Sequence, residues 1–295
     1  MNVGSPSSVK PKLLVLLLLL SCLSTASAQR GAQHAKLSLV TERTAITPGS
    51  SEWIGLRFEV EPGWHIYWTN PGDSGEPPKV TWHLPNGIQA GDLQFPAPQR
   101  IKDHSLVDYG YQGNVVLLSK LTVPSTDTSN KAEISADVRY LVCREVCVPV
   151  KKHLSLNLPE KAANSSADAN LIQKTQEQLP QQVPSGRVRL SAVSNANTFV
   201  IKVASQHPGV GPISDFIPVD EQVIDNVSQP DIEAGKDVQM ITLKKSEQLD
   251  HPVKELHGLL ITHDKAYLAS IPVTQSNKPT SRKTNSQKDH SSKKS

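Results

Sequence analysis

The chain has 295 residues, 37% of them hydrophobic, and only three cysteines. That length allows one or two domains, and so few cysteines exclude a disulfide-rich scaffold. The formal charge of +3 rests on Lys10, Lys12 and a basic tail that begins at Lys278; the body between them is mildly acidic and carries no nucleic-acid footprint.

Residues 1–28 read as an export signal. Lys10 and Lys12 precede the apolar run Leu13 to Leu20, and Ala26-Ser27-Ala28 fits a small-residue cleavage site. The run is too short for a comfortable membrane span, and no other long apolar run follows, so a soluble exported body starting at Gln29 is expected. Leu19-Leu20-Ser21-Cys22 also resembles a lipobox, which makes a lipoprotein anchored through Cys22 the alternative. Outside the cytosol, paired thiols tend to oxidise.

Residues 33–159 read as all-β. Ala35 to Val40 and Trp53 to Val60 alternate with period two. Lys79–His83, Val115–Thr122, Ala132–Val142 and Val148–Leu158 are further strands between Pro- and Gly-rich turns, a spacing that predicts a β-sandwich. Residues 160–185 change character: the stretch Ala167 to Leu179 is strand-poor and ends at Pro180, as a short helix within an interdomain linker would. Residues 186–274 are β again, with strands at Arg187–Val193, Thr198–Val203, Val238–Leu243, Gly258–Thr262 and Ala266–Val273. This predicts a second, smaller β-sandwich. It has no cysteine or tryptophan and reads as a structural or partner-docking module. Residues 275–295 have almost nothing apolar and are expected to be a disordered basic tail.

The four tryptophans, Trp53, Trp64, Trp68 and Trp82, cluster within the first β region. On one strand, Trp64, Ile66 and Trp68 share a face, and His65 and Tyr67 share the other. The loop from Asn70 to Pro78 then carries two Gly-containing turns and ends in Pro-Pro, more than a plain hairpin needs. Buried tryptophans account for the first face; a loop that frames a site accounts for the second.

The remaining two cysteines lie in Tyr140-Leu-Val-Cys143-Arg-Glu-Val-Cys147-Val-Pro149. In a straight strand, residues four apart are roughly 13 Å from each other, whereas a disulfide needs Cα atoms about 4.4–6.8 Å apart. Apolar and β-favouring residues flank both, and Pro149 argues against a helix. A tight hairpin with Arg144-Glu145-Val146 at its tip brings the two together. A bridge closing so short a loop gains only about 2 kcal/mol in the chain-entropy model, and it braces nothing distant. Three readings stay open on the residues: a redox-active pair, a structural disulfide, or metal ligands. Arg144 is the nearest cation in sequence and is placed to favour one thiolate. Asp73 and Glu76 are placed to tune a nearby thiol, since a carboxylate raises and a cation lowers its pKa. His65 is either a base, a ligand, or simply hydrogen-bonded.

Several motifs then point the same way. Pro62-Gly-Trp-His-Ile-Tyr-Trp-x-Asn-Pro-Gly-Asp-Ser-Gly-Glu-Pro-Pro78, Trp82-x-Leu-Pro-x-Gly87, Phe95-Pro-Ala-Pro98, Tyr109-Gly-Tyr111 and Val142-Cys-x3-Cys-Val-Pro149 follow one another in order. Together they resemble the N-terminal periplasmic domain of thiol:disulfide interchange protein DsbD, in the form found in suppressor-of-copper-sensitivity membrane reductases. The resemblance spans about residues 35–158; Asp215-Phe-Ile-Pro218 and Gly258-Leu-Leu260 extend it weakly into the second region. It implies an immunoglobulin-like sandwich in which Cys143 and Cys147 are the catalytic pair. They would take electrons from a thioredoxin-like or membrane disulfide reductase and pass them to periplasmic disulfide proteins such as isomerases or cytochrome-maturation factors. No cofactor is expected. A cap loop shields the pair in that family, and Asn70–Pro78 is the candidate; His65, Tyr67, Asp73, Glu76, Tyr111 and Arg144 are the residues expected to frame the site.

Two features depart from the pattern. The chain lacks the membrane and thioredoxin domains, so a separate reductant is expected, and the Cys-x3-Cys spacing is shorter than in the best-known members. Two other functions remain. Cys143, Cys147 and His153 offer soft ligands for copper binding or copper tolerance, and a redox-inert envelope adaptor would need only the staple.

Overall fold

The computed structural model describes Met1 and residues 34–125, 132–159, 164–206, 209–235 and 237–276. The expected signal segment with its lipobox cysteine Cys22, and the tail beyond Ser276, lie outside the described residues.

The first region is all-β. Its strands are β1 (Ala35–Thr41), β2 (Ser51–Val60), β3 (Ile66–Gly72), β4 (Lys79–His83), β5 (Gln89–Ala90), β6 (Gln99–Asp103), β7 (Leu106–Tyr111), β8 (Asn114–Thr122), β9 (Ala132–Cys143) and β10 (Cys147–Leu158). They form three sheets, ordered β1-β2-β8-β5, β10-β9-β4 and β3-β7-β6. Period-two alternation builds the core between them. Leu56 and Phe58 of β2, Leu117 of β8, and Val138, Tyr140 and Val142 of β9 bury on one interior with Trp64, Ile66 and Trp68. Phe58 meets Tyr140 edge-on at 5.0 Å, and Trp68 meets Tyr109 edge-on at 6.5 Å. Trp64 and Trp68 are core residues, as the alternation of their strand requires. β6 and β7 escaped the sequence reading because charged Arg100, Lys102, Asp103 and Asp108 interrupt their apolar pattern.

The one helix among the described residues, α1 (Ala169–Gln178), falls within the expected stretch, and Leu179 leaves the helical backbone just before Pro180. It is more than a tether. Ile172 is fully buried and packs with Val40, Val116 and Leu118 on the outer face of the β1-β2-β8 sheet.

The second region contains β11 (Gln181–Gln182), β12 (Val188–Ser194), β13 (Thr198–Ser205), β14 (Ile213–Pro218), β15 (Asp231–Ala234), β16 (Val238–Lys244), β17 (Glu255–Thr262) and β18 (Ala266–Gln275). These form one continuous sheet, β14-β17-β18-β12-β13-β16-β15, with β11 on β18. β18 serves both halves: it pairs antiparallel with β17 and then parallel with β12. The two halves fold over a core of Phe199, Ile201, Phe216, Ile241, Leu243, Leu260 and Ile271. The fold is therefore the all-β architecture expected, two β-layered regions with a short helix between them. The two regions also meet: Ile217 of β14 and Leu259 of β17 are buried in the core of the first region.

Candidate functional site

The cysteines close the β9–β10 hairpin. Cys143 ends β9, Cys147 begins β10, and the two are register partners. Their Cα atoms are 4.1 Å apart and their sulfurs are joined in a disulfide. Arg144-Glu145-Val146 forms the tip, as the spacing argument requires, with Val146 exposed. Alternation along β9 sends Tyr140 and Val142 into the main core and Cys143 to the opposite face. Even so, Cys143 is only 1% exposed, whereas Cys147 is exposed.

The residue that precedes β3 is bonded to Cys143 through the backbone. His65 donates its backbone N–H to the Cys143 carbonyl and accepts from the Cys143 N–H, both at 2.9 Å. This bridge sets the His65/Tyr67 face of the chain beside the disulfide. The Tyr67 hydroxyl lies 3.6 Å from Cys147 Sγ and 3.3 Å from Ser74 Oγ. Ser74 in turn donates its backbone N–H and its hydroxyl to the Asp108 carboxylate, each at 3.0 Å. A polar chain thus runs from sulfur through two hydroxyls to a carboxylate that is 4% exposed.

His65 closes the cluster from the other side. Its ring sits edge-on to Tyr67 at 5.0 Å, and Nε2 is 3.5 Å from Asp108 Oδ2. That gap is too long for a good hydrogen bond, and among the described residues Nε2 has no hydrogen-bond partner. The contact is an attraction that acts when the ring is protonated. Tyr67 is pushed above its ordinary pKa, chiefly by burial; the Ser74 hydrogen bond opposes the shift and the Asp108 charge adds to it. Its hydroxyl therefore keeps its proton at neutral pH and has one to offer the sulfur.

The Asn70–Pro78 loop reaches the disulfide through Tyr67. Gly75 lies against the tyrosine ring so closely that a Cβ there would fall 2.1 Å from Cζ, and its φ of +78° is a left-handed value that disfavours any side chain. The loop is anchored beyond the site as well. Asn70, buried, accepts from Gly72 N–H at 2.9 Å and donates to the carbonyls of Pro218 and Asp220 at 3.0 and 3.3 Å.

The other expected framing residues are placed as follows. Asp73 accepts from Val107 N–H at 2.8 Å and from Asn226 Nδ2 at 2.8 Å, so its carboxylate is engaged with β7 and the second region. Glu76 is exposed and pairs with Lys79 at 2.8 Å, a contact that holds its carboxyl below the usual range. Tyr111 is a core residue; its hydroxyl donates to Pro96 O at 2.6 Å, and burial pushes its pKa well up. The Arg144 guanidinium lies over the Trp64 ring at 5.4 Å, and Trp64 stacks on His34 at 3.6 Å.

The set Cys143, Cys147 and His153 does not converge. The register pairs His153 with Asp137, six residues along the strand from Cys147, roughly 20 Å at strand spacing. His153 instead bonds Asp137 at 2.8 Å, on a carboxylate that His83 shares at 2.7 Å. Among the described residues no group of three or more His, Cys, Asp or Glu is arranged to hold a metal ion. Cys143, Cys147 and His153 are therefore not brought together in this structure.

Asp108 and Ser74 were not singled out from the sequence, although a signal existed. Asp108 is the one charge in Leu106-Val-Asp-Tyr-Gly-Tyr111, a strand otherwise built for burial, and a charge in such a place needs a partner.

Residues 36–159 match the family described as "Thiol:disulfide interchange protein DsbD, N-terminal". Among solved structures, the chain is similar in fold to the N-terminal periplasmic domain of ScsB from Proteus mirabilis, at 18% identity and a TM-score of 0.57, covering 83% of this chain and 95% of that one. A chimeric titin Z1Z2 (10% identity, TM-score 0.20, 83% and 97% covered) and the major pilin subunit BcpA of Bacillus cereus (8%, 0.27, 81% and 69%) superpose too loosely to bear on the fold. No curated protein matches the chain. The likeness expected from the motifs is thereby borne out: residues 36–159 resemble the N-terminal domain of the DsbD thiol:disulfide interchange family.

Proposed function

We propose that this chain is an exported thiol–disulfide exchange protein that works through Cys143 and Cys147. It accepts two electrons from a thioredoxin-like or membrane-bound reductase and passes them to oxidised proteins of the periplasm. One observation carries the reading above all: the disulfide joins an exposed sulfur residue to a buried one beside a proton-bearing hydroxyl. A staple needs no such asymmetry, and an exchange site does.

The asymmetry sets the order of events. An incoming thiolate attacks Cys147 Sγ, the accessible sulfur; the bond to Cys143 breaks, and Cys143 leaves as a thiolate that then takes up a proton. The reductant's second thiolate attacks its own sulfur in the mixed disulfide and releases Cys147. Two electrons and two protons have then moved to the pair, and the reductant is left as a disulfide. Delivery to an oxidised protein reverses these steps, with Cys147 attacking and Cys143 resolving. The Tyr67 hydroxyl is positioned to steady charge on Cys147 in both directions. In this role the periplasm is the working compartment, and no helix among the described residues is long and apolar enough to cross a membrane.

The test is the reduction potential of the pair, read by alkylation and mass after equilibration in graded redox buffers. A value of roughly −120 to −270 mV supports exchange, and one below about −300 mV marks a structural bond and overturns it. Cys143→Ser is expected to trap a mixed disulfide through Cys147, because the resolving sulfur is gone.

A further inference from the structure

Exchange needs one exposed sulfur; it does not need the charge pattern on the sheet that carries it. We propose that the outer face of the β10-β9-β4 sheet is the docking surface for the exchange partner, and that the partner it fits is a thiol protein with acidic residues close to its reactive cysteine. The inference rests on the exchange reading and names the partner's chemistry.

Register and period two build the face. Val138, Tyr140 and Val142 point into the core, so Arg139, Leu141 and Cys143 of β9 lie on the opposite side. Cys147, Pro149 and Lys151 of β10 lie with them, because the register pairs Cys143 with Cys147, Leu141 with Pro149 and Arg139 with Lys151. β4 extends the last of these rows, since Lys79 is also a partner of Arg139. From the disulfide outward the face therefore shows a sulfur row, an apolar row and a row of three cations. Alternate residues of a strand are roughly 6.6 Å apart, so the cations stand roughly 13 Å from the sulfur row. Lys79, Arg139, Pro149 and Lys151 are exposed and Leu141 is half-buried.

The cation row works against the fold. Like charges directly opposite one another destabilise a sheet, and here Lys79, Arg139 and Lys151 stand abreast. Glu76 offsets one side of the row: it pairs with Lys79 at 2.8 Å and attracts Arg139. Asp137, in the next row, is already bonded by His83 and His153 at 2.7 and 2.8 Å. At the hairpin tip Arg144 and Glu145 lie 3.9 Å apart and balance each other. The surplus positive charge therefore sits at Arg139 and Lys151, one apolar row away from Cys147. An apolar strip beside a reactive sulfur, with charge at its rim, is the layout of an interface. A complementary partner brings an apolar contact to Leu141 and Pro149 and carboxylates to the cations. Those carboxylates steer its approach and fix the orientation in which its sulfur meets Cys147. The body of the chain is mildly acidic, so this attraction is local and does not follow from net charge.

Two synthetic peptides test this. Each has one cysteine, then three neutral residues, then either three aspartates or three lysines, so that an extended peptide spans the distance from Cys147 to Lys151. Each peptide cysteine is held as a mixed disulfide with thionitrobenzoate. In Cys143→Ser protein the Cys147 thiolate attacks the peptide sulfur. A bond forms between Cys147 and the peptide, the bond to thionitrobenzoate breaks, and thionitrobenzoate leaves with the electron pair as a coloured thiolate. At low ionic strength the second-order rate is expected to be about tenfold higher for the acidic peptide than for the basic one. In about 1 M salt, where the Debye length is about 3 Å, the ratio is expected to fall to within about twofold of unity. Adding Arg139→Glu and Lys151→Glu is expected to invert the preference. Because each protein is compared with itself, a change in the reactivity of Cys147 cancels from the ratio. Arg139→Gln with Lys151→Gln, expected to bring the ratio to within about twofold of unity, decides the matter if the reversed variant does not fold. Equal rates for the two peptides before these changes overturn the proposal. So does a preference for the acidic peptide that survives charge reversal, which would place the attraction in the basic tail. The exchange reading is judged separately, by the potential of the wild-type pair: a potential in the exchange range without a charge preference overturns the docking surface alone.

Discussion

The two β regions are built by the same rule and put their buried polar groups to different use. In the second region, Gln239 is buried in the sheet, where its side chain accepts from Ile213 N–H and donates to Gly211 O, closing one turn locally. Both polar atoms of that side chain are satisfied within the second region and lead no further. In the first region His65, Asp108, Ser74 and Tyr67 form a chain that leads to a sulfur, and His65 Nε2 is left without a hydrogen-bond partner among the described residues. An interior polar atom that is not satisfied costs stability. The difference teaches where to look for chemistry: not in the larger cavity or the longer strand, but where burial leaves polar groups incompletely paired beside a reactive bond.

The comparison breaks most severely at the seam. Arg100 lies on the first region and Asp215 on the second, both largely buried, in a two-point ion pair. Arg100 also donates to the carbonyls of Asn226 and Phe216. Arg100→Ala leaves a carboxylate and two carbonyls short of a donor, and the expected loss is about 3–5 kcal/mol, measured by denaturant titration at neutral pH. With Ile217 and Leu259 buried in the first core, the wild type is expected to unfold in one transition. If Arg100→Ala costs less than about 1 kcal/mol, the regions are joined by apolar packing alone and the polar seam is incidental.

Much of this is legible in the chain, and the reason is locality. The hairpin at Cys143 and Cys147 follows from spacing and flanking β-branched residues. The opposite faces of Trp64-Ile66-Trp68 and His65-Tyr67 follow from period two. Both are properties of fewer than ten consecutive residues. Asp73 reads as a modulator of the thiols because it sits in the right loop. Its actual partner, Asn226, lies far along the chain in a stretch with no pattern of its own, and no local rule connects them. The same holds for α1: its helical character is local, but Ile172 seating on Val40, Val116 and Leu118 is not.

A smaller effect sharpens the contrast within the first region. Tyr67→Phe keeps the ring under Gly75 and removes only the hydroxyl between Cys147 and Ser74. The expected stability loss is about 1 kcal/mol, because Ser74 keeps its bonds to Asp108. The expected change in chemistry is larger than that figure implies. Without the hydroxyl the thiolate on Cys147 loses its neighbouring donor, and its pKa, read by the pH dependence of alkylation in the reduced protein, is expected to rise. A variant whose alkylation profile superposes on that of the wild type would show that the tyrosine only packs.

The smallest effect tests whether the seam senses pH. His257 is hydrogen-bonded by Asp220 at 2.8 Å, and that contact, against some desolvation, raises its pKa above the ordinary value. Asp220 is also the residue whose carbonyl receives Asn70, so the histidine buttresses one anchor of the loop. A raised histidine favours the protonated form in the fold. Its contribution is fully present below the ordinary pKa of about 6.5 and is lost as pH rises through the raised one. The side chain is 40% exposed, so screening holds the effect to a fraction of a kcal/mol. His257→Gln is therefore expected to be slightly less stable than the wild type at about pH 6 and indistinguishable from it by about pH 9, where the wild-type ring is neutral. A difference that stays constant across that range would assign His257 to packing. It would also leave the loop's base held by Asn70 alone, whose amide does not titrate.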